Sequence, residues 1–333
     1  MSGKWLIGVD IGGTTTKMAL LNDNGEIIEK WEIPTDNENE GKNITVNIAK
    51  SIEQKFKKYK ITKSHVKGLG VGAPGPANLN TGMIEHTPNL SWYDYYPLRE
   101  LLEQHTGLLV EINNDANCAA LGEMWKGAGN GASDLVCVTL GTGVGGGVIT
   151  NGKNVQGIRG AAGEIGHITS IPDGGARCNC GKSGCLETIA SATGIVRLAT
   201  ERVKKEPDGR SNRLSLLYKE KGKITAKDVF DLARDGEKIA VEVTVEVSFY
   251  LGFALANIAN TLNPDKIVLG GGVSKAGEIL LNPLSVHFKK FSFPNIANST
   301  ELVLAKLGND AGVIGAAWMI KSNEYMNNKE TER

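Results

Sequence analysis

One pattern occurs twice in this chain. Residues 5–20, WLIGVDIGGTTTKMAL, and residues 135–150, LVCVTLGTGVGGGVIT, each run from an apolar stretch of strand character through a Gly- and Thr-rich turn into a second apolar stretch. That order describes a hairpin. Its tip carries little side chain, so backbone N–H groups can converge on an anion, glycine admits positive φ there, and Thr hydroxyls add donors at the rim. Two such tips, one in each half, point to a cleft that grips a polyphosphate from both sides. Two other readings fit part of the pattern: ordinary hairpins in which glycine merely turns the chain, and a dinucleotide loop, since Gly141, Gly143 and Gly146 satisfy G-x-G-x-x-G. A dinucleotide loop needs a helix to start at that turn. Here Val148-Ile149-Thr150-Asn151-Gly152 reads as a strand running into a turn. No G-x-x-x-x-G-K-[ST] segment exists, which excludes a P-loop.

The 333 residues favour two domains with substantial cores. Glycine is the compositional outlier at 42 residues, much of it in loops beside strands, where ligands approach backbone. With 37 basic and 37 acidic residues there is no global field to draw nucleic acid or an anionic membrane, so neither partner is expected. The first strand begins at Trp5, so no signal peptide is expected. The most apolar window, Val247 to Leu262, is interrupted by Asn257 and Asn260 and reads as a buried helix rather than a membrane span. Five cysteines, three of them clustered, indicate a cytoplasmic protein whose thiols serve a metal.

Ile44, Ile48, Ile52, Phe56 and Tyr59 recur at helical spacing, predicting a helix over 43–59. A strand over 67–73 runs into the GAPGP loop, Pro97 opens a helix that Gly107 closes, and 108–112 is another strand. In the second half a long helix is predicted near 237–262 and a strand at 266–269. Gly270-Gly271-Gly272 then leads to a helix near 276–290, a strand at 302–306 and a last helix near 311–321. Residues 204–224 read as an exposed excursion and the tail from Ser322 as frayed. Hairpins followed by alternating strands and helices imply mixed sheets covered by helices, an α/β fold.

Asp115, in Asn113-Asn114-Asp115-Ala116-Asn117, falls where a strand ends and a helix begins, the edge at which open α/β sheets bind ligands. Phosphoryl transfer to a hydroxyl needs one placed carboxylate to accept the proton, and Asp115 is the candidate. An N-cap that only satisfies helix N–H groups is the competing role. Asp10, closing the first strand before the Gly-Gly turn, is suited to hold Mg²⁺, or else initiates the turn. His167 together with Cys178, Cys180 and Cys185 supplies the full complement of a closed tetrahedral zinc site, which shapes a loop rather than doing chemistry. Folding that loop would bring Glu164 and Glu187 together, suited to vicinal hydroxyls. Cys118 and Cys137 read as core.

Assembled, DIGGTTTK, NNDANCAALGE, GTGVGGGV, GEIGH, CNCGKSGCLE and GGGV resemble the ROK family of sugar kinases and repressors, over residues 5 to about 320 and most closely its bacterial glucokinases. The resemblance implies the actin-like ATPase (ribonuclease H-like) fold, with two mixed-sheet α/β domains flanking a cleft. Residues 1–113 plus about 308–333 would form one domain, closed by the C-terminal helix, and 114–307 the other, with the zinc loop. It implies ATP-dependent phosphorylation of the 6-hydroxyl of glucose with Asp115 as base. Asn89, Asn114, Glu164, His167 and Glu187 would bind the remaining hydroxyls. Asp10, Gly12, Gly13, Thr14, Thr15, Gly141, Thr142, Gly143, Gly145 and Gly146 would serve the ATP phosphates and Mg²⁺, and Gly271 and Gly272 the adenosine. His167 would give one ring nitrogen to zinc and the other to sugar. Lys17 is read as a strand-face residue, and a homodimer is the implied assembly. Alternatives are an N-acetylmannosamine or N-acetylglucosamine 6-kinase and a sugar-responsive repressor; only Met1 to Lys4 precede the first strand, so no DNA-binding domain is expected.

Overall fold

The computed structural model describes residues 4–85, 87–205 and 212–331. The chain divides into two compact units: Met1–Gly131 with Gly147–Ala162 and Leu307–Arg333, and Ala132–Gly146 with Gly163–Lys306.

The first unit opens with β1 (Trp5–Ile11), β2 (Thr15–Leu21) and β3 (Ile27–Pro34), then α1 (Asn43–Tyr59), β4 (Val66–Ala73) and the two-residue strands β5 (Ala77–Asn78) and β6 (Met83–Ile84). After them come α2 (Leu98–Thr106), β7 (Val110–Asn114) and α3 (Asp115–Lys126). Its sheet has the order β3-β2-β1-β4-β7, antiparallel across the first three strands and parallel from β1 through β4 to β7. The two-residue period of β1 sorts its side chains. Ile7, Val9 and Ile11 enter the core shared with α1 and α2, while Leu6 packs on the opposite side.

In the second unit β8 (Leu135–Leu140) and β9 (Val144–Thr150) form the other glycine-tipped hairpin, and β9 and β10 (Lys153–Asn154) carry the chain back into the first. Helices α4 (Glu187–Ala190), α5 (Ala192–Lys205), α6 (Arg213–Lys221), α7 (Ala226–Arg234) and α8 (Lys238–Leu262) follow. Then come β11 (Lys266–Gly270), α9 (Gly271–Ser274), α10 (Glu278–Phe291), α11 (Pro294–Ser299) and β12 (Glu301–Leu304). The sheet order is β10-β9-β8-β11-β12, with β11 parallel to both β8 and β12. α8 is long and apolar enough to cross a membrane by composition, yet Val243, Val247, Leu251 and Leu255 are wholly buried in this unit's core. The last helix, α12 (Ala311–Thr331), continues well past Ser322, where a frayed tail was expected.

Two other expectations change. The predicted excursion at 204–224 contains α6, capped by the Asn212 side chain with Leu214 buried; residues 206–211 of it lie outside the described residues. And α3, placed beyond a boundary at 113 by the sequence reading, lies with the first unit, as do residues 147–162. The physical reason is close packing between α3 and α12. A methyl on Gly315 would collide with the Cys118 carbonyl, one on Gly122 with the Ala311 carbonyl, and one on Gly8 with the Val313 carbonyl. Glycine therefore lets α12 lie directly on both helix and sheet.

Because the obstacle at Gly315 is backbone, it cannot rotate away. Gly315→Ala is expected to destabilise the protein by about 1–3 kcal/mol, seen as a lower urea midpoint at unchanged slope.

Candidate functional site

Asn114, the last residue of β7, is the N-cap of α3. Its Oδ1 accepts from the Ala116 N–H at 2.9 Å and the Asn117 N–H at 3.3 Å, and its Nδ2 donates to the Gly75 carbonyl at 3.1 Å. The capping role open to Asp115 is thus filled by its neighbour. Asp115 stands in the first turn, accepting from the Ala116 N–H at 2.8 Å. Behind it, Asn113 Oδ1 accepts from the Asn114 N–H at 2.8 Å and from Asn117 Nδ2 at 3.1 Å, while Asn113 Nδ2 donates to Asn154 Oδ1 at 3.2 Å. A backbone N–H cannot flip, so it fixes the polarity of the whole amide chain.

Asp10, at the end of β1, stands opposite Lys17 in the hairpin register. Burial first, and then the Asp115 charge, push its carboxyl up from 3.8 to about 6, against the pull of Lys17. Burial also raises Asp115 from its ordinary value, opposed by its backbone hydrogen bonds and by a hydrogen bond from the Asn114 side chain. These are two half-buried carboxylates in one place. Lys17, read as a strand-face residue, is the nearby positive charge; only the register places it there.

The first hairpin tip is strapped by residues without a sequence signal. Thr35 Oγ1 donates to the Gly12 carbonyl at 2.7 Å and Asn37 Nδ2 to the Gly13 carbonyl at 2.6 Å. Thr14 accepts from the Thr35 N–H at 3.0 Å, and Thr15 opens β2. A Cβ on Gly13 would lie 3.4 Å from the Asn89 carbonyl oxygen, so Asn89, itself exposed, borders the tip. One expectation fails at both tips: Gly12, Gly13, Gly141, Gly143 and Gly146 do not take positive φ. Proximity is what requires glycine at several of them. A methyl on Gly12 would collide with the Thr15 carbonyl, and one on Gly146 with the Gly163 carbonyl.

Within the second unit, the ligand atoms of His167, Cys178, Cys180 and Cys185 lie within 4.8 Å of one another. Cys180 and Cys185 sulfurs are 3.6 Å apart, and Cys178 Sγ is 3.6 Å from His167 Nδ1. A tetrahedral ion with bonds near 2.3 Å separates sulfurs by about 3.8 Å, so this donor set has the size and chemistry to hold a metal ion. The ring's other nitrogen, Nε2, is 3.8 Å from Glu164 Oε2. Glu187 turns one oxygen to the Val144 N–H at 3.0 Å and the other to Cys178 Sγ at 3.6 Å. Cys118 and Cys137 are buried.

Gly271 takes φ +86°, and a methyl there would collide with the Leu140 carbonyl, so α9 starts hard against the end of β8. Beside it a cavity of about 550 Å³ is lined by Gly141, Thr142, Gly272, Val273, Ala226 and Phe230, among others. It joins the glycine tip to the Gly271–Gly272 turn; Ala226 and Phe230 of α7 were missed, since their spacing only marks an amphipathic helix.

Helix-covered mixed sheets of this order form the actin-like ATPase fold. Within that fold residues 6–323 match the ROK family, and the chain belongs to it. It is 52% identical over 332 residues, 100% of this chain and 99% of the relative, to a protein of Halalkalibacterium halodurans named glucokinase. It is 39% identical to a glucokinase of Thermotoga maritima over 95% of this chain and 97% of that one. Among solved structures, a ROK family glucokinase from Streptomyces griseus in complex with glucose and AMPPNP is 35% identical, with a TM-score of 0.75, covering 95% of this chain and 98% of its own.

A carboxyl raised from 3.8 to about 6 holds a proton in the folded protein that the unfolded chain has released, so stability falls as pH rises through that window. The penalty is absent below 3.8 and complete above about 6. Asp10→Asn removes it: the variant should gain up to about 3 kcal/mol over wild type at neutral pH, and the gain should vanish near pH ~4. Urea denaturation across pH checks this; an equal gain at both ends of the range would refute it.

Proposed function

We propose that this protein transfers the γ-phosphoryl group of ATP to the 6-hydroxyl of glucose. The observation that carries the proposal is Asp115: its neighbour caps the helix, which leaves this carboxylate for chemistry, and burial tunes it toward accepting a proton. The likeness to proteins named glucokinase, and to one solved with glucose and AMPPNP, supports the substrates. Asp115 takes the hydroxyl proton as the O6–H bond breaks and O6 bonds to the γ-phosphorus. The bond from that phosphorus to the bridging oxygen breaks, and ADP leaves.

Asn114 binds sugar from beside the base; its amide also donates to the Gly75 carbonyl and hydrogen-bonds Asp115. Asn89, Glu164, His167 Nε2 and Glu187 take the other hydroxyls. Gly12, Gly13, Thr14 and Thr15, with Gly141, Thr142, Gly143, Gly145 and Gly146, hold the phosphates, and Gly271 and Gly272 the adenosine. Asp10 would hold Mg²⁺, which when bound neutralises phosphate charge. His167, Cys178, Cys180 and Cys185 would hold zinc, with no position open for substrate. The family resemblance extends the proposal to a cytoplasmic homodimer.

A coupled ADP-release assay with Mg²⁺ across glucose, mannose, fructose and their N-acetylated relatives tests this, with glucose expected to give the highest kcat/KM. Preference for an N-acetylated hexosamine would move the substrate. Asp115→Asn should bind glucose normally and lose about 10²–10⁴ in kcat; a fully active variant removes Asp115 from the role of base. Elemental analysis should find about one zinc per chain, and a metal-free, folded, active enzyme would refute the structural metal.

A further inference from the structure

We propose that Ser191 and Thr193 are positioning residues for the phosphoryl donor: they belong to a bracket, residues 187–193, that fixes which way the peptide groups of the second glycine tip face. The proposal deepens the kinase reading and rests on it for the identity of the anion.

The tip closes on itself through the Gly141 N–H, which donates to the Gly143 carbonyl at 2.9 Å. From behind it is held at three atoms. The Ala192 N–H donates to the Gly141 carbonyl at 2.8 Å, Thr193 Oγ1 donates to the Thr142 carbonyl at 2.9 Å, and the Val144 N–H donates to Glu187 Oε2 at 3.0 Å. Ser191, fully buried, ties these partners together. Its hydroxyl donates to the Glu187 carbonyl at 2.6 Å, accepts from the Gly194 N–H at 3.0 Å, and lies 2.9 Å from Thr193 Oγ1.

Peptide planarity converts these contacts into a function. In a trans peptide the carbonyl of one residue and the N–H of the next point in opposite directions. Pinning the Gly141 and Thr142 carbonyls backwards therefore turns the Thr142 and Gly143 N–H groups forwards. Neither N–H donates to an acceptor among the described residues, and Gly141 and Thr142 line the 550 Å³ cavity. Side-chain-poor tips are free to flip their peptides, and a flip would present carbonyl oxygens to a phosphate in place of donors. The bracket removes that freedom. Thr193 is exposed at the tip's back, so its hydroxyl can be deleted without opening a core.

Thr193→Val keeps the shape and loses the donor. Calorimetric titration with AMPPNP should show affinity weakened about five- to tenfold, while adenosine and glucose bind as to wild type, and Thr193→Ser should restore AMPPNP binding. KM for ATP should rise by a similar factor with kcat less affected. Unchanged AMPPNP affinity in Thr193→Val, or equal weakening toward adenosine, would overturn the bracket. Active wild type with an unaffected variant sinks the bracket alone. A wild type that binds AMPPNP and responds to the substitution but phosphorylates no sugar sinks the kinase reading alone, and a wild type that does not bind AMPPNP sinks both.

Discussion

Two half-buried carboxylates beside one another are the costly arrangement around which the first unit is built. Asp10 ends a strand, Asp115 begins a helix, burial opposes the ionisation of both, and the Asp115 charge further opposes that of Asp10. The cost of ionising Asp10 alone is about 3 kcal/mol at neutral pH. The pull of Lys17 across the hairpin is already included in that figure. The start of α12 also stands against the carboxylate, since a Cβ on Gly312 would lie 2.7 Å from Asp10 Oδ2; a helix N-terminus is worth about 0.3–1 kcal/mol to an anion. That does not close the gap. The remainder is met by packing: α12 lies on β1 and β4 and on α3 at distances only glycine permits, which burial of Val313, Ile314, Ala317 and Ile320 stabilises.

That arrangement explains why some of the molecule was legible in the sequence and some was not. The two hairpins and α1 carry local, periodic signals, and all stand as predicted. The four side chains suited to a metal ion, His167, Cys178, Cys180 and Cys185, were legible because their chemistry is rare and they fall within nineteen residues, 167–185. The extent of the first unit was not, because the glycines at 122 and 315 that join α3 to α12 are far apart in sequence and look like any others. Nor did composition decide which of Asn114 and Asp115 caps the helix. A single residue of offset settles it, and only backbone direction supplies that. Lys17 reads from sequence as a strand-face residue for the related reason that cross-strand pairing, not sequence neighbourhood, puts it beside Asp10. Thr35, Asn37, Ser191 and Thr193 carry no signal at all; small hydroxyl and amide residues occur everywhere on protein surfaces.

Those unremarked residues give the duplicated hairpin a meaning beyond its glycines. At the first tip the Gly12 N–H closes the turn on the Thr15 carbonyl at 3.0 Å, and the next two carbonyls, Gly12 and Gly13, are pinned by Thr35 and Asn37. At the second the Gly141 N–H closes the turn, and the next two carbonyls, Gly141 and Thr142, are pinned by Ala192 and Thr193. Planar peptides then turn two consecutive N–H groups outward in each case, Gly13 and Thr14 in one, Thr142 and Gly143 in the other, with no acceptor for any of them among the described residues. Each tip uses one Thr hydroxyl, but the second donor is a side-chain amide at the first tip and a backbone N–H at the second, and they lie at different sequence distances from the tip. What the tips have in common is therefore the orientation of two peptide planes, reached from different parts of the chain, and that orientation is what binding an anion by backbone alone requires of each tip.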